Sequence, residues 1–593
     1  MGAVIMAMTL AGASPALAQD QPSCACAKTR TDSPEDVRFK KLYTSEWEWR
    51  QHQFADDEDS NKAHISPDLP DVSEAAQKQR LARWESVDQQ LDAMDRAKLS
   101  PANQVNYDVY KAQIAVLINQ QKFKDYQRPV NSDTSFWGNL AGTARGTFSS
   151  EEDYRNYIHQ LNEFPRYFGQ QIANMRAGLA RGFTPPRITL KGRDDTVTSV
   201  IDIAKPQDSI FYKPFTKMPD TIPAATQAEL RAAAVKAIED SVIPAHRTLL
   251  TFLRTDYIPH AQPSIHAYDL PDGKAYYQAK IKEFTTLDLT PEQIHKIGLE
   301  QVAKIHAEML QTMKDSGFKG TFPEFLKFLR TDPQFYAKTP QDLLKDAAWI
   351  AKEFDGVAGK WFGHLPRRRF AIIPVPADIA PYYTSGRGGP GVYLVNTYDL
   401  PSRPLYALPA LTLHESAPGH AFQMPLAAEN KSLPEFRQDT YISAYGEGWA
   451  LYCEKLGDEM GIYKTPYQRF GMLSYQMWRA ARLVVDTGIH SMGWTRKQAQ
   501  QYLHDNTALA DHEIETEVDR YISWPGQALS YYLGEMAILK DRDKAEKALG
   551  PKFNIRAFHD TVLQMGSVPL PVLNARIDKF IADGGVGPYP DEE

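Results

Sequence analysis

Two histidines six residues apart, with a glutamate after the first and a Pro-Gly pair before the second, constrain this chain more than any other stretch. The text is Leu411-Thr412-Leu413-His414-Glu415-Ser416-Ala417-Pro418-Gly419-His420. The apolar run before His414 reads as a buried helix, and a helix brings two histidines to one metal ion when they are four residues apart on one face. At 3.6 residues per turn, His420 falls roughly 120° around the axis from His414, so a straight helix cannot bind one ion with both. Pro418 has no N–H for the carbonyl of His414 and its ring would clash there, while Gly419 tolerates unusual backbone angles. The expectation is a widened turn at Pro418-Gly419 that carries His420 back beside His414. Glu415, a charge within an apolar run, wants a partner or a function. It would face the water that a metal activates, as general base and later as proton donor to the leaving amine.

A third ligand must come from another element. The next helical pattern contains Tyr445-Gly446-Glu447-Gly448-Trp449-Ala450-Leu451-Tyr452-Cys453-Glu454. An antiparallel helix returning past the site would present Glu447, with a glycine on either side so that two backbones approach closely. Glu454 lies two turns on along the same face, as an alternative ligand or as an acceptor that orients a ligating histidine. Two histidines and one glutamate beside an open water position form a ligand set of catalytic zinc, so His414, His420 and Glu447 are read as ligands of one Zn2+ ion.

Around this centre the 3.6-residue pattern dominates. Ser100-Pro101 opens a helix to about Phe123, Ser150-Glu151-Glu152 opens another to Gly182, and helical patterns recur near 224–256, 290–316 and 339–363. Two runs, 369–375 and 391–397, are short, β-branched or aromatic and bounded by Pro or Gly, and read as strands. The glycine-rich text between them, Tyr382 to Pro390, reads as a loop. The expected fold class is mainly α, a large helical domain with a small antiparallel sheet beside the active helix. The later strand would line the cleft and pair with an extended peptide, with Tyr393 and Asn396 as substrate-binding positions.

The first eighteen residues, ending in Ala16-Leu17-Ala18, read as a signal peptide cleaved before Gln19, although no Lys or Arg precedes the cleavage point. Residues 19–70 are polar and broken by proline, an arm and linker with short helices, and 71–593 read as a single large catalytic domain with a cleft. A formal net charge of −7 without long like-charge blocks disfavours nucleic acid as a partner. No later run approaches the roughly 20 apolar residues of a membrane span. A periplasmic or secreted protein is expected, of undetermined oligomeric state. Cys24, Cys26 and the distant Cys453 make no disulfide framework.

His414-Glu415-x-x-Pro418-Gly419-His420 followed by Glu447-Gly448-Trp449-Ala450-Leu451-Tyr452 resembles a widespread family of mostly secreted bacterial proteins catalogued as a domain of unknown function, related by motif to the gluzincin metallopeptidases. The second element is also similar to the Glu-Gly-Phe-Ala text that carries the glutamate ligand in zinc aminopeptidases. Further stretches look like family text: Gly182 to Arg187, Leu289 to His295, Arg482 to His490 and Pro525 to Tyr531. The resemblance spans most of the mature chain. It implies a largely helical zincin-like fold with a deep cleft, near the carboxypeptidase and angiotensin-converting-enzyme branch, and a single zinc as cofactor. It implies no defined substrate.

Beyond the ligands, His490 and Tyr531 are read as groups that stabilise the tetrahedral oxyanion. Their plain alternatives are a bond from His490 to Asp486 across one turn, and a Tyr531 that only packs in the core. Arg482 is read as the holder of a substrate carboxylate, which would favour exopeptidase action, or as the partner of Asp486 four residues on. These readings converge on hydrolysis of short peptides, exopeptidase or dipeptidase-like. The alternatives are hydrolysis of other amides or esters at the same metal, and a binding protein whose inserted Pro-Gly has cost it the metal.

Overall fold

Side-chain caps decide where the long helices begin. In the computed structural model, which describes residues 32–53, 65–377 and 379–590, Ser100 accepts from the backbone N–H of Asn103, and Pro101 opens a helix that runs to Phe123. Ser150 and Asp153 form a capping box at the start of Glu151–Ala180, and Thr290 with Gln293 does the same for Pro291–Asp315. Each cap satisfies N–H groups that a helix start leaves open. The run from Ala224 to His260 is helical but not uniform, because Ile238–Val242 and Leu253–Tyr257 are π-helical turns. Pro244 and Pro259 each withhold the N–H that a regular α turn would use there.

The signal-peptide reading, with Cys24 and Cys26, lies outside the described residues. The stretch read as an arm and linker with short helices holds a 20-residue helix, Pro34–Gln53. Its Phe39, Leu42 and Tyr43 join the main core, and its buried Glu46 accepts from Trp84 Nε1 at 2.9 Å and Tyr110 OH at 2.8 Å. The stretch looks polar because only one stripe of this helix, spaced by three and four residues, faces inward.

The molecule is mainly helical with one small sheet. Among the described residues, the buried apolar side chains form three clusters. One is built from Leu69 and the segment 130–261, around Trp137, Phe168 and Phe215. The other two meet at the helix Leu408–Glu415, whose Leu408 and Leu413 belong to one and whose Ala410 and Leu411 belong to the other. A helix buried on every side is apolar on every side, which explains why Leu-Pro-Ala-Leu-Thr-Leu shows no polar face. Between this double core and the 130–261 bundle runs a cleft of about 2570 Å³, lined by Trp137, Thr196 and Phe211 on the bundle side and by His414, Glu415, His420 and Glu447 on the other. Among the described residues, no helix is long and apolar enough to cross a membrane.

The sheet differs from the expected antiparallel one. Strands β1 (Ala371–Pro374), β2 (Gly386–Gly389) and β3 (Val392–Val395) lie in the order β1-β3-β2, with β1 parallel and β2 antiparallel to β3. The two apolar runs are strands, but the glycine-rich text between them is a strand too. A two-residue turn at Pro390-Gly391, where Gly391 takes φ +87°, folds β2 back on β3. The glycines serve closeness rather than looseness: a Cβ on Gly386 would lie 3.1 Å from the carbonyl oxygen of Leu394, and one on Gly388 would lie 1.7 Å from that of Glu415. Composition alone cannot distinguish these two uses of glycine.

Candidate metal centre

The chain between the two histidines departs further from a helix than a bulge. One helix, Leu408–Glu415, stops, and a second, His420–Glu429, begins. Between them Ser416 (φ −99°, ψ −112°) and Gly419 (φ −74°, ψ −133°) leave helical geometry, and the Ala417–Pro418 peptide is cis. The carbonyl of Pro418 accepts from Trp449 Nε1 at 2.8 Å, which ties the break to the helix Ser443–Glu459. Gly419 passes so close to the preceding turn that a Cβ there would lie 1.8 Å from the oxygen of His414. The result is the one the spacing demanded, since the two imidazoles stand 4.9 Å apart between centroids and nearly perpendicular, at 85°.

Glu447 enters from the side. Its Oε2 lies 3.4 Å from His414 Nε2 and 3.3 Å from His420 Nε2, and one ligand atom from each residue falls within 4.8 Å of the others. The glycines flanking Glu447 allow this approach in two directions. A Cβ on Gly446 would meet the Tyr441 ring at 2.4 Å, and one on Gly448 would meet the backbone of Gly534 at 2.4 Å. Glu454 takes the other nitrogen of the first imidazole: His414 Nδ1 donates to its Oε1 at 2.7 Å. That arrangement makes Glu454 the orienting acceptor and leaves Nε2 of His414 facing Glu447. Among the described residues His420 Nδ1 has no such partner.

The electrostatics follow from burial and from these contacts. Burial lowers the pKa of His414, but the hydrogen bonds to Glu447 and Glu454 outweigh it and carry the imidazole up to about 10. Burial raises Glu447, and the facing histidines overcome that and hold its carboxyl well below the usual range. Three donors that favour a positive charge at one buried point, at the wall of a cleft, fit a divalent cation, and two imidazoles with one carboxylate suit zinc.

Glu415, the residue read as general base, lies half-buried on the same wall. Its Oε2 accepts from the backbone N–H of Gly388 on β2 at 2.7 Å. Tyr531 lines the cleft with its ring almost parallel to that of His414, 6.5 Å away, and its hydroxyl accepts from Arg520 at 3.1 Å. Tyr441, which sequence reasoning missed, donates to Glu447 Oε1 at 3.0 Å. No motif marks it, because it precedes the Glu447 helix in an irregular segment.

Three other expected site residues, His490, Tyr393 and Asn396, lie away from the cleft. Both ring nitrogens of buried His490 are taken by backbone: Nδ1 accepts from Ala267 N–H at 3.2 Å, and Nε2 donates to the carbonyl of Tyr521 at 2.9 Å. His490 does not line the cleft, nor does it bond Asp486, which instead accepts from Tyr277 OH at 2.5 Å and from the N–H of Gly526. Tyr393 is fully buried within the core on the middle strand of the sheet. Asn396 donates to the carbonyls of Ala380, Tyr383 and Thr384 and accepts from the N–H of Tyr398, fixing the loop before β2. Neither can contact a substrate, and β3 has no free edge, because β1 and β2 occupy both sides. Arg482 does line the cleft, with Glu517 rather than Asp486 as its ion-pair partner, at 2.9 Å.

The family described as bacterial protein of unknown function (DUF885) matches residues 60–577. Among solved structures, a "putative lipoprotein" from Colwellia psychrerythraea is 26% identical and superposes with a TM-score of 0.87, covering 93% of this chain and 100% of that one. A second, described in the same words and as of unknown function, from Shewanella oneidensis, is 17% identical with a TM-score of 0.64, covering 92% and 99%. The M32 carboxypeptidase of Deinococcus radiodurans R1, 13% identical over 86% of this chain and 98% of its own, reaches a TM-score of only 0.30, a value at which no likeness of fold is read. No curated protein matches the sequence.

Proposed function

We propose, for a chain that belongs to the DUF885 family of bacterial proteins, a zinc-dependent hydrolase of short peptides or peptide-like amides. In this reading His414, His420 and Glu447 bind one zinc ion and Glu415 is the general base. The observation that carries it is the convergence of three donor atoms within 4.8 Å at the wall of a large cleft, next to a carboxylate that, among the described residues, is anchored through its Oε2.

A zinc ion at this point would supply Lewis acidity, lowering the pKa of water and polarising the scissile carbonyl. The chain's own groups do the rest. Glu454 holds Nδ1 of His414, which leaves Nε2 as the nitrogen that would bind the ion. Gly388 N–H holds Oε2 of Glu415 and leaves Oε1 to accept a proton from water. As the C–O bond forms and the C–N bond breaks, Glu415 returns that proton to the departing amine. Tyr531, beside His414, is assigned to stabilise the tetrahedral oxyanion, while Tyr441 donates to the ligand carboxylate and steadies it. Strand β2 is the sheet edge on the cleft, and it takes over the peptide-pairing role expected of β3. The signal-like start of the sequence supports a periplasmic or secreted setting.

Glu415→Gln tests the assignment. Metal analysis after dialysis should find one zinc per chain in both the native protein and the variant, while peptide hydrolysis by the variant falls by about 10²–10⁴-fold. Full turnover by Glu415→Gln would remove the mechanism, and substoichiometric zinc in native protein would favour a binding protein without metal.

A further inference from the structure

The floor of the cleft beside His414 carries buried guanidinium groups with donors to spare. Arg482, 1% exposed, gives Nε to Tyr521 OH at 3.0 Å and Nη2 to Glu517 at 2.9 Å, but among the described residues its Nη1 has no acceptor. Arg479, 4% exposed, approaches Glu454 with Nη2 at 3.4 Å, and its Nε and Nη1 have no acceptor among the described residues. Both side chains line the cleft. Buried N–H groups are rarely left unpaired, and unpaired ones on a cation are costly.

These groups are held rigidly and near the proposed reaction centre. The two arginines are three apart on the helix Pro466–Met492, and so share a face. The Arg482 guanidinium lies over the rings of Trp478 at 4.4 Å and Tyr531 at 4.3 Å, and Arg479 lies over Trp478 at 4.2 Å and Tyr475 at 4.6 Å. Tyr531 is the ring that stands beside His414, and Glu454, the partner of Arg479, is the acceptor of His414 Nδ1. Each arginine is thus one side chain removed from the first metal ligand. Planar, charged, stacked donors with free N–H groups match a carboxylate, which they can bind through both oxygens.

We infer that Arg482 and Arg479 form a carboxylate-recognition subsite for the free C-terminus of the substrate, so that the protein removes residues from the C-terminal end of short peptides. The inference rests on the hydrolase reading, because a terminal carboxylate sits at a fixed short distance from a scissile bond only in the last residue of a chain. Arg482 acts as the anchor and Arg479 as the second donor. The site discriminates against any substrate whose terminus is an amide, which would bring no charge to neutralise the spare donors.

The test compares N-acetyl-dialanine having a free carboxylate with its C-terminal amide. Calorimetric binding to zinc-loaded Glu415→Gln protein should favour the acid by about 10- to 100-fold, as expected for a charge-assisted bidentate contact. The native protein should release alanine from the acid. In Arg482→Gln and Arg479→Gln, each checked for native circular dichroism, the acid-over-amide ratio should fall toward one. Equal affinity for acid and amide, or no measurable affinity for either, overturns the subsite, and this arm needs no arginine variant that might misfold. An amide-blocked peptide with a glutamate side chain that binds as tightly as the free acid would also overturn it, by assigning the arginines to a side-chain pocket. Selective binding of the acid without hydrolysis leaves the subsite standing and removes the hydrolase reading. Hydrolysis of acid and amide at equal rates does the reverse.

Discussion

Two regions of this molecule bury histidines, and they do opposite things with them. In the core, His490 and His559 have both ring nitrogens engaged by backbone or hydroxyl groups, and burial pushes each down to about 3. His246, bonded to the carbonyl of Val242, is pushed down to about 4. At the cleft wall His414 is as deeply buried, yet carboxylates on both of its nitrogens carry it up to about 10. Burial alone therefore yields a neutral structural ring. A carboxylate holding one nitrogen, with the other aimed at further donors, yields a candidate ligand.

The comparison can be broken most directly at Glu447. Glu447→Ala should lose stoichiometric zinc on dialysis and lower hydrolysis by at least about 10³-fold, because two imidazoles without the carboxylate no longer enclose the ion. Retention of one zinc per chain, measured by plasma emission, would transfer the third-ligand role to another group. A smaller effect should follow at Glu454. Glu454→Gln removes the charge behind His414 but keeps an acceptor, and chelator competition should show a 10- to 100-fold weaker zinc affinity, the usual cost of losing such a partner. An unchanged affinity would mean that the His414–Glu454 contact serves only the core.

The least effect on the metal should come from the other region. His490→Phe leaves the Ala267 N–H and the Tyr521 carbonyl without their partner and should cost about 1–3 kcal/mol for each group in urea unfolding, with zinc affinity unaltered. Its pH signature sharpens the contrast. Burial pushes His490 down from the ordinary imidazole value of 6.5 to about 3, so its contribution to stability is complete above the unfolded pKa. It is lost as pH falls toward 3, where the unfolded chain takes up a proton that the folded chain refuses. The variant should lack this component of acid destabilisation, and a loss of zinc in His490→Phe would return that residue to the site.

Local chemistry made much of this legible in the sequence. Caps at Ser100, Ser150 and Thr290 are decided within four residues, and the helical text between them follows. The mismatch between a six-residue interval and the helical repeat foretold a distortion at Pro418-Gly419, expected as a widened turn where the structure breaks the helix in two, and the glycines about Glu447 foretold a close approach. What was hidden depends on contacts between distant segments. Whether Gly386 to Gly389 forms a loop or a strand depends on β3 and on the end of the Glu415 helix. His490 looked catalytic because its partners, Ala267 and Tyr521, are backbone groups that carry no side-chain signal. Asn396 and Tyr393 would reach the cleft only from an edge strand, and β2 covers β3 on that side. Tyr441 belongs to no periodic pattern, so its approach to Glu447 has no signature in the sequence.

The absence of a side chain at Gly388 has a use in sorting related sequences. The amide that steadies Glu415 comes from a position whose Cβ would overlap the carbonyl oxygen of Glu415 itself. A relative could carry the complete His-Glu-Pro-Gly-His text and still, with alanine at this position, have to move its strand away and release the glutamate. One residue outside the motif thereby becomes a criterion for deciding which members of the family keep their base in place, and it can be applied before any protein is purified.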